Sequence, residues 1–177
     1  EAEKHPGVAK VLTHKDVPHN VYTILILIQI GPEDEQVLAA DKVRWKGEAV
    51  VAVLADSERA ANEAAAKVRI DYEVLPAVFD IGEALAPGAP LVNEYHGNNY
   101  YTYDSGSHRK VRYGDVGKGF AEADHILEQT YWSSPIEHAP TETTGCIVVP
   151  EGNDRFTCHT NTQAMFFTLD NTSIILQ

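Results

Sequence analysis

Apolar and polar positions divide the chain into stretches of different period. His5-Pro6-Gly7 is a turn. Val8 to Thr13 then alternates apolar and polar side chains, as a strand with one covered face does. His14 to Asn20 is a loop or a single helical turn. Val21 to Ile30 is a run of aliphatic, largely β-branched residues and predicts a buried strand, ended by Gly31-Pro32. The run is too short to span a bilayer, which takes ~20 residues.

Residues 36–78 predict a strand–helix–strand crossover. Glu48 to Ala55 is continuously apolar after its first residue, the pattern of a strand covered on both faces. Asp56 or Ser57 caps the helix that follows. Its alanines, Ala60, Ala61, Ala64 and Ala65, with Val68, make it thin enough to lie close to a sheet. The contact face is expected at Ala61, Ala64, Ala65 and Val68. Arg69 to Leu75 returns as a strand and Pro76 ends it. Asp80 to Ala86 predicts a further short helix, stopped by Pro87-Gly88.

Residues 87–113 are rich in Pro, Gly, Asn and Ser and carry Tyr95, Tyr100, Tyr101 and Tyr103. They read as a linker whose tyrosines cover their own domain or pack against another subunit. Asp115 then caps a short helix to Ala123. His125 to Ser133 alternates like a strand. Thr144 to Val149 and Arg155 to His159 predict a hairpin around 150–154. Ala164 to Leu176 has helical spacing, with either Met165, Leu169, Thr172 and Ile175 or Phe166, Phe167 and Ile174 inward. The pattern as a whole is α+β.

Composition narrows the function classes. The 177 residues carry a formal net charge of -12. Residues 1–86 hold 9 Lys/Arg against 15 Asp/Glu and the remainder 5 against 11, so neither part is a basic nucleic-acid surface. The cluster His108-Arg109-Lys110-Val111-Arg112 reads as a solvated turn. Two cysteines, Cys146 and Cys158, make no disulfide framework and fit a reducing compartment such as the cytoplasm. They fall on the two predicted hairpin strands, where small thiols are ordinary core residues. The chain opens on Glu-Ala-Glu with no leader, and Gln177 follows the last helix without a stop signal. Both ends are those expected of a piece of a longer protein.

The motifs by themselves carry little chemistry. Gly114-x-x-Gly117-x-Gly119 lacks the preceding strand and following Lys-Ser/Thr of a phosphate loop and reads as a turn and helix start. The eight histidines show no zinc spacing, and Cys146…Cys158-His159 lacks a close cysteine pair. Asp115, Glu137 and Glu142 are carboxylates without a readable pairing.

Several stretches in order nevertheless resemble one family. They are Pro-Gly-Val-Ala-Lys-Val-Leu-Thr-His-Lys-Asp-Val-Pro at 6–18 and Val-Leu-Ala-Ala-Asp-Lys-Val-Arg-Trp-Lys-Gly-Glu-Ala-Val-Val-Ala-Val-Leu at 37–54. Ala-Ala-Ala-Lys-Val-Arg-Ile-Asp-Tyr-Glu-Val-Leu-Pro at 64–76 follows, then Gly-Asp-Val at 114–116 and Phe-Ala-Glu-Ala-Asp-His at 120–125. Glu137-His138 with Glu142, and Thr162-Gln163, complete the set. Together they resemble the molybdopterin-binding large subunit of the xanthine dehydrogenase/aldehyde oxidase family of molybdenum hydroxylases.

The resemblance implies an α/β hammerhead-like domain over residues 1–86, lacking its first strand. A linker over 87–113 and the start of the molybdopterin-binding domain over 114–177 follow. It implies that the glutamine at Gln163 lies beside the molybdenum and hydrogen-bonds one of its oxygen ligands, since an amide donates without adding charge. The bland alternative for Gln163 is a side chain bonding local backbone at a helix start. The glycine-rich cofactor segment and the glutamate base of the family are expected beyond Gln177. No catalytic residue and no metal ligand is therefore expected within the chain, and the chain alone is expected to be inactive. The implied reaction is hydroxylation of an aldehyde or N-heterocycle with oxygen from water. Molybdenum–molybdopterin belongs to the complete subunit, and iron–sulfur clusters and FAD to partner domains or chains. Alternatives are a non-catalytic assembly or docking domain of such a complex, or a small-ligand-binding module. Two departures stand out: Thr141-Glu142-Thr143 replaces the commoner Met-Glu-Pro, and Val21 to Ile30 is unusually apolar for the family.

Overall fold

Short antiparallel pairings and four helices form the α+β architecture of the computed structural model, which describes residues 1–23, 34–94 and 113–177. Two compact units divide the chain, one of residues 1–108 with 164–177 and one of 109–163.

In the first unit, β1 (Val8–Leu12) pairs antiparallel with β4 (Ala52–Ala55), setting Val11 against Val53 and Leu12 against Ala52. The turn before β1 needs Gly7, which has φ +85 and whose carbonyl accepts from the Asp56 amide at 2.9 Å. After β1, Thr13 and Asp16 form a reciprocal capping box around a single helical turn, His14–Asp16. Lys10 Nζ holds the Asp16 carboxylate at 2.7 Å. That ion pair, with the Thr13 amide, lowers the Asp16 pKa from its ordinary 3.8 to about 2.

Ser57 caps α1 (Glu58–Ala65) by accepting from the Ala60 amide. Helix α1 packs on β4 and β1 through Ala60 and Ala64, the latter fully buried. Ala61 and Val68 are half-buried and Ala65 is exposed. The contact face is thus rotated from the predicted one toward Ala60. β4 is covered on one face only: Leu54 is 56% exposed. Its other face meets no layer among the described residues, which corrects the expectation of a strand covered on both sides.

The return strand expected over 69–75 does not form. Ile70 to Val74 is exposed and finds no ladder partner among the described residues. A strand is stabilised by its neighbours, and local sequence supplies none. β2 (Val21–Tyr22) pairs with β3 (Glu35–Gln36). The remainder of the predicted strand to Ile30 lies outside the described residues, as do Tyr95, Tyr100, Tyr101, Tyr103 and the cluster at 108–112. Just before β2, Asn20 clamps Leu38 with both amide atoms, donating to its carbonyl at 2.8 Å and accepting from its amide at 3.0 Å. Helix α2 (Ile81–Leu85) is capped by Asp80. Lys42 and Arg44 pair with Glu94, and Lys42 is the main cause of that carboxylate's lowered pKa.

The last helix, α4 (Met165–Leu176), belongs to this unit and contacts β2, with the His19 amide donating to Ile175 O at 3.1 Å. Its covered side is Phe167, Thr168, Asn171, Thr172, Ile174 and Ile175. Thr168, Asn171 and Thr172 make this polar side tolerable by bonding the carbonyls of Ala164, Phe167 and Thr168. Met165 and Leu169, inward in one predicted arrangement, are 65% and 62% exposed. Phe166, inward in the other, is exposed as well. An apolar helix can bury either side, and tertiary contacts chose the more polar one.

In the second unit, Asp115 caps α3 (Val116–Ala121) by accepting from Lys118 N. Gly114, with φ +73, is the turn and Gly117 and Gly119 lie in the helix, as expected of a helix start. Residues 125–133, expected as a strand, have no ladder partner among the described residues, and Leu127 and Trp132 are 82% and 90% exposed. The hairpin forms as expected: β5 (Cys146–Gly152) pairs with β6 (Arg155–Thr160). Asn153 and Asp154, at φ 53 and 57, make the two-residue turn, and such left-handed pairs match the twist of the strands.

Candidate functional site

Gln163 sits where the second unit ends and α4 begins, and the hairpin fixes its approach. At the open end of β5–β6 the Thr160 hydroxyl donates to Gly145 O at 3.1 Å. The Asn161 amide accepts from Gly145 N at 3.1 Å and donates to Thr143 O at 3.5 Å. Backbone leaving β6 is therefore tied to the entering strand up to two residues before Gln163.

The Gln163 side chain is exposed and bonds no described residue. Ala164, the residue at the start of α4, provides no side-chain cap, and Gln163 does not substitute for one. The local-backbone alternative for this amide is thus absent from the geometry. What remains is a neutral group with two donors and one carbonyl, free for an external partner.

The other residues singled out play different parts. Asp115 is a helix cap. Glu137 and Glu142 are exposed and form no ion pair among the described residues. Between them Ala139 holds φ 48, uncommon for a residue with a Cβ, and nothing in the sequence signals it. Asn161, which ties the open end of the hairpin to Gly145 and Thr143, was missed by sequence reading, because an asparagine in a polar stretch reads only as a turn former. Cys146 and Cys158 are exposed rather than in a core, since no layer covers their face of the hairpin among the described residues.

Two family models match the chain. Residues 1–76 match the aldehyde oxidase and xanthine dehydrogenase a/b hammerhead domain, and residues 92–177 match the molybdopterin cofactor-binding domain. The chain belongs to the xanthine dehydrogenase/aldehyde oxidase family. Gln163 falls inside the cofactor-binding match. Among this family's members, the probable hypoxanthine oxidase XdhD of Escherichia coli (strain K12) is 33% identical over 92% of the chain and 20% of its own length. The 6-hydroxypseudooxynicotine dehydrogenase complex subunit gamma of Paenarthrobacter nicotinovorans is 35% identical, over 85% of the chain and 19% of its own length. The crystal structure of the aldehyde oxidoreductase from Desulfovibrio desulfuricans ATCC 27774 superposes with TM-score 0.80 at 30% identity. That superposition covers 99% of the chain and 19% of the crystallised one. The chain thus spans about a fifth of the length of these relatives.

Proposed function

We propose that this chain contributes to the molybdenum-binding subunit of an oxidoreductase that hydroxylates an aldehyde or an N-heterocycle with oxygen taken from water. The observation that carries the proposal is the unbonded Gln163 amide inside the region matched by the cofactor-binding model. Such an amide fits a molybdenum–molybdopterin group: it donates a hydrogen bond and brings no charge that would alter the group's potential. When bound, the cofactor supplies the two-electron oxidation. The chain's own part is to orient it through Gln163, whose backbone is fixed by Asn161 and Thr160.

We assign residues 1–86 to the hammerhead-like domain, 87–113 to a linker and 114–177 to the start of the cofactor-binding domain. The apolar side chains left open agree with a chain covered by more protein. Leu127, Tyr131, Trp132, Met165, Phe166 and Leu169 are each more than half exposed. The covering partners are the remainder of the molybdenum subunit, and the electrons leave through iron–sulfur and FAD-bearing domains or chains. No helix among the described residues is long and apolar enough to cross a membrane. Cytoplasmic location is proposed with the function, on the two free thiols.

The deciding experiment is carried out on the complete protein. Molybdenum and pterin content are measured, then oxidation of aldehydes and purine-type heterocycles in isotopically labelled water. About one molybdenum per subunit with label in the product supports the proposal. A stable protein without molybdenum, assembling with the same partners, favours a docking role instead.

A further inference from the structure

The β5–β6 hairpin places two thiols side by side. In its register Cys146 faces Thr160 and Val148 faces Cys158, so the two cysteines are diagonal neighbours on one face. Their sulfurs stand 3.1 Å apart, and both thiols are free. Only ~1 Å separates that distance from a covalent S–S bond. Either sulfur can donate in this contact, and the Cys146 thiol is pushed up by its bond to Cys158 and, less, by burial. Cys146, the thiol pushed up, is the poorer nucleophile of the two, so the first attack is assigned to Cys158.

We propose that Cys146 and Cys158 form a peroxide-responsive couple that closes to a disulfide across the hairpin, independently of any role for Gln163. The Cys158 thiolate attacks one oxygen of hydrogen peroxide and the O–O bond breaks. That leaves a sulfenic acid on Cys158 and releases one water. The Cys146 sulfur then displaces the sulfenic oxygen, which leaves as a second water, and the S–S bond forms. The two thiols lose two protons and two electrons, and one peroxide becomes two waters. Diagonal positions on a ladder are ordinarily wider than a relaxed disulfide spans, so closure must pull the strands together. A bond made under that strain is easily reduced, the behaviour of a labile rather than a structural disulfide. Its strand β6 is also the one tied to Gly145 beyond the pair, so oxidation stiffens the open end of the hairpin.

The test uses the complete protein, purified reduced, treated with hydrogen peroxide, alkylated with N-ethylmaleimide and digested for mass spectrometry. The peptides containing the two cysteines are expected linked, lighter by two hydrogens and unalkylated, with dithiothreitol restoring both thiols. Cys146→Ser is expected to leave a sulfenic acid on Cys158 that dimedone traps. Cys158→Ser is expected to leave Cys146 largely alkylatable at the same peroxide dose. If both wild-type thiols stay alkylatable, or Cys158 passes to sulfinic acid while Cys146 remains free, the couple does not exist.

Discussion

Gly7 lies against the Asp56 side chain: a Cβ there would lie 2.5 Å from the Asp56 carboxylate oxygen. Two penalties therefore attend Gly7→Ala, the close approach and the left-handed φ of +85. The first is cheap, because the opposing atom ends a flexible side chain. The second is fixed by the turn and costs about 1–2 kcal/mol. Hydrogen exchange of the β1 and β4 amides should quicken accordingly in Gly7→Ala. Adding Asp56→Ala should restore little of the protection. Full restoration would assign the cost to the clash.

Burial separates two neighbouring alanines that sequence alone placed on one face. Ala64 is fully buried between α1 and the β1–β4 pair, whereas Ala65 is exposed. Ala64→Asp would bury an unpaired carboxylate and should cost several kcal/mol, enough to abolish exchange protection in β4. Ala65→Asp should stay within ~0.5 kcal/mol of wild type. Equal effects from the two substitutions would mean that the helix is rotated from this position.

What the sequence disclosed and what it withheld follow one physical line. Ser57 and Asp115 were legible as helix caps, in the first case with Asp56 as the alternative, because a cap is a bond within a few residues. The hairpin was legible because its left-handed turn at Asn153 and Asp154 lies between two β-rich runs. The stretches at 69–75 and 125–133 carry strand composition yet find no ladder partner among the described residues, since pairing depends on neighbours far along the chain or on other protein. Helix α4 was found but its inward side was not, because it is apolar on more than one side and the buried one includes Asn171. For the site, residue pattern alone gave nothing. Gln163 was reached only through resemblance, and Asn161 only through the hydrogen bonds at the hairpin's open end.

The Lys10–Asp16 pair makes a pH-dependent contribution of definite sign. Asp16 has its pKa lowered from 3.8 to about 2, with Lys10 the largest cause and the Thr13 amide next. A carboxyl depressed in the folded state stabilises fully above its unfolded value and loses that contribution as pH falls through the folded value. The advantage of wild type over Asp16→Asn should therefore be steady at pH 5 and above. It should shrink below about pH 4 and be nearly gone at pH 2. The effect is modest, because the pair is exposed and salt screens it. Melting curves of the two proteins across this range, at low and high salt, check both statements. A difference that grows on acidification would contradict the assignment.

Gln163 makes a prediction that couples activity to stability. Under the proposed function its amide would donate toward the bound cofactor, and Gln163→Ala would remove that donor alone. Loss of one preorganised donor at a reacting centre typically costs about 3 kcal/mol, or roughly two orders of magnitude in turnover. Stability should hardly move, because the side chain is exposed and bonds no described residue. The backbone approach should also persist, since Thr160 and Asn161 hold it through Gly145 and Thr143. Asn161→Ala should act differently. It removes the bonds that position Gln163, so turnover should fall less, and exchange at the Gly145 amide should quicken. The measurements are turnover per bound molybdenum, cofactor content and a melting curve for wild type and both variants. A purely structural Gln163 would give the opposite pair of results, a lowered melting temperature with unchanged turnover per molybdenum. That outcome would remove Gln163 from the site while leaving the hairpin, its base network and the thiol pair as they stand.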